Sequence, residues 1–131
     1  MQYVKLFEEF VSADSILESA ETYSDYPQSA TNNAKKALAW REKYGRGEVT
    51  AGTPVGWSRA NQLAKRENLS KDVVARMAQF ARHRQNADVN PKYKSTPWKD
   101  NGYVAWLIWG GTSGVDWAIR KMEQIRNKKA K

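Results

Sequence analysis

Few residues in this 131-residue chain are of types that do covalent chemistry. There is no Cys, so disulfides, thiolate metal sites and cysteine nucleophiles are excluded. The one histidine, His83, rules out histidine-pair metal motifs and reads as a buried structural residue. Glu42, Glu48, Asp100 and Asp116 could supply the carboxylate pair of a glycosidase, but nothing in their spacing brings two together. Capping or helix-surface roles are expected for them. Gly110-Gly111-Thr112-Ser113-Gly114 precedes an apolar periodic segment, so its amides could meet a phosphate. It lacks the Lys-Ser/Thr of a P-loop, and the chain has no GxSxG elbow, so a structural turn is expected. The expectation is a protein that binds rather than catalyses, with no cofactor and no metal. A hydrolase with an unrecognised carboxylate site is the weakest alternative.

Charge is more informative. Lys and Arg number 22 against 14 Asp and Glu, a net of +8. That favours a polyanionic partner such as nucleic acid, or else is simply a solvated basic surface. The distribution is uneven. Residues 1–18 hold Lys5 against Glu8, Glu9, Asp14 and Glu18, a net of −3, while residues 19–131 hold 21 bases and 10 acids, a net of +11. An acidic head and a basic body suggest pieces with different jobs.

Positioning these charges requires a core. Hydrophobic residues are 40% of the chain and charged residues 27%, enough for one packed domain. Six Trp compensate for modest aliphatic content, since each can bury ~150–250 Å². The longest apolar run, Tyr103 to Trp109, is far short of the ~18 residues of a membrane span. The acidic Glu8 and Glu9 argue against a secretory signal.

Val4, Leu6, Phe7, Phe10 and Val11 recur at helical spacing, which predicts a short amphipathic helix over 3–12. Residues 19–30 lack a period and read as a linker. A helix is expected from about Asn33 to Tyr44, its face set by Ala34, Ala37, Leu38 and Trp40 or Arg41, and stopped by Gly45 and Gly47. Thr53-Pro54 is a cap followed by proline at N1, starting a helix to about Glu67 that buries Trp57, Ala60, Leu63 and Ala64. Ser70 caps the next helix, to about His83, with Leu69 and Val74 spaced as a hydrophobic staple. These two helices form a hairpin that could be a groove-reading helix-turn-helix or only a packing unit.

Residues 85–101 read as a long basic loop with Tyr93 and Trp98 interleaved. Its aromatics could stack on bases, or pin the loop to the core. Tyr103–Trp109 reads as a buried helix, ended by Gly110 and Gly111. Ser113 caps a last helix with Val115, Ala118, Ile119, Met122 and Ile125 on one face, before a basic tail from Arg126 to Lys131. The fold class is therefore all-α: a single-domain bundle of about five helices over 31–131, preceded by a short amphipathic helix.

Two resemblances add to this. The run Ala37-Leu38-Ala39-Trp40-Arg41-Glu42-Lys43-Tyr44-Gly45-Arg46-Gly47 resembles part of a module of tailed-phage and prophage proteins. So do Gly52-Thr53-Pro54-Val55-Gly56-Trp57-Ser58-Arg59-Ala60, Leu69-Ser70, Val74-Ala75-Arg76-Met77 with Phe80-Ala81-Arg82-His83, and Ala105-Trp106-Leu107-Ile108-Trp109-Gly110-Gly111. That resemblance implies a phage origin near head-maturation functions and no particular activity.

Separately, Tyr3-Val4-Lys5-Leu6-Phe7-Glu8-Glu9-Phe10-Val11 resembles the capsid-targeting peptide of internal head proteins of T-even-like phages. The family resemblance implies docking to the scaffold through Val4, Leu6, Phe7, Phe10 and Val11. It also implies cleavage by the prohead protease after Ile16-Leu17-Glu18, leaving Ser19 as the new N-terminus.

Together these readings describe a virion protein made in the host cytoplasm and packaged in the phage head. Its basic body would bind double-stranded DNA non-specifically, with no membrane partner. Expected phosphate contacts are Arg46, Arg59, Lys65, Arg76, Arg82, Arg84, Lys92, Lys94, Lys99, Arg120 and the tail lysines, with Trp98 or Tyr93 for stacking. The alternative is a host-takeover protein that inhibits a host enzyme by binding it.

Overall fold

The computed structural model describes residues 21–130, so the expected docking helix and cleavage site (Val4 to Ser19) lie outside the described residues. Five α-helices lie among them, with one minimal two-stranded sheet. The expected all-α class stands.

Helix α1, Gln28–Tyr44, starts after Pro27, whose carbonyl accepts from the Ala30 N–H at 3.0 Å. It buries Ala30, Thr31, Ala34 and Ala37, a stripe of small residues at helical spacing. That stripe lets α2, Pro54–Ala64, pack closely along it. Thr53 caps α2 by accepting the Gly56 N–H at 3.0 Å, and Trp57, Ala60 and Leu63 are buried as expected.

Ser70 caps α3, Lys71–Gln79, accepting the Val73 N–H. The staple residues Leu69 and Val74 are both fully buried. Beyond Gln79 the chain tightens into 3₁₀ turns over Phe80–Ala87, kinked at His83, rather than continuing as α-helix to His83. Two further 3₁₀ turns, Pro91–Tyr93 and Pro97–Lys99, organise the expected loop.

Helix α4, Asn101–Ile108, is capped by Asp100, which accepts the Tyr103 N–H at 3.1 Å. It packs against α1, α2, α5 and the 80–87 turns, so Val104, Trp106, Leu107 and Ile108 are all buried. A helix enclosed on several sides has no polar face, which is why its sequence shows no amphipathic period.

Helix α5 runs over Gly111–Ala130. Gly110 (φ +99°) and Gly111 (φ +66°) make the reversal into it. A Cβ on Gly111 would lie 2.2 Å from Asn33 Nδ2, so the corner admits only glycine.

Four expectations are corrected. Residues 21–30 are folded into the domain rather than a linker. Thr22–Tyr23 (β1) pairs antiparallel with Leu69–Ser70 (β2), and Tyr26 is 1% exposed with its hydroxyl donating to the Glu67 carbonyl at 2.7 Å. Second, α2 and α3 do not pair as a hairpin. α2 packs mainly on α1 and α3 mainly on α5, so the helix-turn-helix reading loses its structural unit. Third, α5 begins at Gly111, placing Ser113 inside the helix, where its hydroxyl accepts from the Ser29 hydroxyl at 2.7 Å. Fourth, His83 is half-buried, lying against Phe80 with ring centroids 4.8 Å apart and accepting from Arg82 Nε through Nε2.

Among the described residues no helix is long and apolar enough to cross a membrane.

Candidate nucleic-acid interface

The expected basic residues divide by what surrounds them. Arg84 is committed to Asp116 at 2.8 Å and lies over the Trp106 ring. Lys99 faces Glu48 at 3.8 Å. Arg59 is half-buried on α2, with Nη1 donating to Gln62. Lys65, Lys92, Lys94 and Arg120 are exposed but dispersed over the end of α2, the 91–94 turn and α5. Arg46, Arg76 and Arg82 are exposed and come together around the start of α2.

The aromatics of the 91–100 segment serve the fold. Trp98 stacks on Tyr44 at 3.9 Å with planes 6° apart, meets Trp40 edge-on, and donates Nε1 to Glu48 at 3.1 Å. These contacts tie the segment to α1, so one face of Trp98 is covered by Tyr44. Tyr93 is half-buried, with Lys92 over its ring. The pinning alternative thus accounts for Trp98.

The carboxylates are likewise structural. Glu48 holds Trp98 and Lys99, Asp116 holds Arg84, and Asp100 caps α4 while also accepting the Asn90 N–H at 2.8 Å. Among the described residues no three His, Asp or Glu side chains gather to hold a metal ion. In the Gly110–Gly114 turn, Asn33 donates to the Gly110 carbonyl at 2.9 Å, and Gly114 lies against Ala30.

Two adjoining depressions flank the start of α2 and share Gly52 and Thr53. The larger, about 600 Å³, is bordered by Arg41 and Arg46; the smaller, about 340 Å³, by Arg76 and Arg82. Among the described residues no Asp or Glu lines either one. Arg41 was not among the expected contacts. Its guanidinium lies 4.3 Å from the Trp57 ring centroid, and it has no hydrogen bond or ion pair among the described residues. Trp57 is itself fixed, donating Nε1 to the Ala51 carbonyl at 3.1 Å. Gly52 (φ +87°) closes over that indole, where a Cβ would sit 2.6 Å from Nε1.

Titration reflects the paired surface. Burial works against ionisation of Asp25, but the Lys121 ammonium, 2.9 Å away, outweighs it and holds the carboxyl below its usual range. Burial pushes the Tyr26 phenol up, against the opposing charge of Arg66.

No protein-family model matches the chain, and neither a curated protein nor a solved structure is found to be similar to it.

Proposed function

We propose that this protein is a nucleic-acid-binding virion component whose basic domain neutralises phosphates of DNA packaged in a tailed-phage head. In this reading residues 1–18 dock to the scaffold and are removed after Glu18 by the prohead protease, and the net charge rises by three units. The observation that carries the DNA-binding part is the net +11 of residues 19–131. Asp25, Glu21, Glu48 and Asp116 pair with Lys121, Lys128, Lys99 and Arg84, while among the described residues the arginines around the start of α2 have no carboxylate in the depressions they line. Packaging and processing rest on the resemblance of residues 3–11 and on the position of Ile16-Leu17-Glu18 at the charge boundary.

Binding through phosphates carries no base information, so affinity depends on salt and not on sequence. The test is equilibrium binding of the full-length protein to two unrelated duplexes over a salt series. Equal affinities, falling linearly on a log–log plot, are expected; no binding at low salt overturns the reading. A host-enzyme inhibitor would instead bind one protein with salt-tolerant affinity. Intact mass of the protein recovered from virions tests packaging: a chain starting at Ser19 is expected, and absence from virions removes the head-protein assignment.

A further inference from the structure

We propose that the paired depressions at the start of α2 form a discrete phosphodiester clamp, with Arg41 and Arg46 gripping one phosphate and Arg76 and Arg82 the next along the same strand. The inference rests on the nucleic-acid reading above and deepens it: it replaces a diffuse basic surface with one site.

Three observations carry it. The four arginines come from three separate parts of the chain: α1 with the loop after it, α3, and the 80–87 turns. The fold nevertheless sets them in two pairs on either side of the shared Gly52-Thr53 ridge. Among the described residues neither depression is lined by a carboxylate, so no negative charge in the linings neutralises the guanidinium groups, although Arg82 Nε donates to His83 Nε2 at 3.2 Å. Finally, the Arg41 guanidinium lies over the Trp57 ring, 4.3 Å from its centroid, and that indole is locked by its own hydrogen bond to Ala51. A stacked guanidinium keeps its N–H edge free in a fixed plane, the geometry that meets a phosphate with two parallel hydrogen bonds. A lysine at the same place would supply charge without that fork.

The ligand is a nucleic-acid backbone rather than a base. Asn61 and Gln79 are the side-chain amides of the two linings, and Asn61 Nδ2 already donates to the Trp57 carbonyl at 3.0 Å, so positive charge rather than base-edge reading dominates both depressions. Single and double strands should therefore both bind.

The experiment compares full-length wild type, the quadruple change Arg41→Ala, Arg46→Ala, Arg76→Ala and Arg82→Ala, and a charge-matched control with Lys35→Ala, Lys36→Ala, Lys43→Ala and Arg126→Ala. Each is titrated with one duplex over a salt series. The clamp predicts that the groove variant's slope of log affinity against log salt drops by about two, because two phosphate contacts are lost and each removes about one. The control should lose clearly less.

Arg41→Lys should weaken binding about tenfold at fixed net charge, as expected for one lost charge-assisted hydrogen bond. In ¹H–¹⁵N spectra, the Trp57 indole and the Gly52 and Thr53 amides should shift with a short thymidine oligonucleotide.

Equal losses in groove variant and control, with unfocused shifts, overturn the clamp while leaving non-specific binding intact. Wild type that binds no nucleic acid at low salt overturns both. Should the quadruple variant melt early, the triple change at the exposed Arg46, Arg76 and Arg82 gives the same comparison without disturbing the Trp57 stack.

Discussion

Arg66 and Arg41 both lay a guanidinium on an aromatic ring, yet they serve different ends. Arg66 sits 4.6 Å from the Tyr26 ring centroid and gives its donors to the Ser24 and Tyr26 carbonyls and the Thr31 hydroxyl. Its backbone takes φ +55° to do so. It clasps the stretch before α1 onto the turn after α2. Arg41 sits 4.3 Å from Trp57 and has no polar partner among the described residues. One guanidinium is satisfied by the fold, and the other is oriented by it and left open. The lesson is that a basic residue's role is set by what its donors face, which charge counting does not reveal.

That contrast presupposes a rigid scaffold, and the largest expected effect is on the scaffold itself. Trp106 is 1% exposed and donates Nε1 to Thr112 at 3.1 Å. Trp106→Ala should cost ~3–5 kcal/mol by leaving a cavity between α4, the 80–87 turns and the start of α5. Thermal unfolding checks this, and an unchanged melting temperature would refute the central placing of α4.

Next in size is the arginine pair itself. Arg66→Ala should lower stability by about 1–2 kcal/mol, because it leaves carbonyls of the 24–26 stretch without donors. Arg41→Ala should change stability by less than about 1 kcal/mol, since only an aromatic stack at a partly exposed site is lost. Its effect should fall on DNA affinity instead. Denaturant unfolding and binding on the same two variants would expose the reverse pattern, which would break the distinction.

The smallest effect concerns pH. The Lys121 pair lowers the Asp25 carboxyl in the folded state. Its stabilisation is therefore fully present above the unfolded value near ~3.9 and is lost as pH falls through the lower folded value. The carboxylate is largely exposed, so the pair belongs in the ~0.2–1 kcal/mol range of surface ion pairs. Asp25→Asn should melt slightly below wild type at neutral pH and converge with it in strong acid. A gap that widens in acid would contradict the sign.

Much of the scaffold was legible because local rules agree with the fold. Thr53-Pro54 and Ser70 are caps whose hydroxyls bond amides three residues on, and the periodic positions Ala34, Ala37, Trp57, Ala60, Leu63, Val73, Val74 and Met77 are buried. The run from Tyr103 to Trp109 reads as a buried helix, and the structure has one over Asn101–Ile108, enclosed on several sides. Residues 21–30 carry no period because a two-residue strand and a single buried tyrosine order them through distant partners, Leu69, Ser70 and Glu67. Trp117, 5% exposed and edge-on to Tyr26, was missed for the same reason.

The site divides along the same line. Sequence alone determined that the body is strongly basic, free of cysteine, and equipped with capped amphipathic helices, since charge, composition and caps are properties of residues and near neighbours. Only the tertiary structure decided which bases are neutralised. Arg84 and Asp116 stand 32 positions apart, Lys121 and Asp25 stand 96 apart, and the Arg41–Arg46 and Arg76–Arg82 pairs border adjoining depressions only because the fold sets both beside the start of α2. Such pairings depend on how far-apart segments pack, and no periodicity along the chain encodes which side chain will stand opposite another.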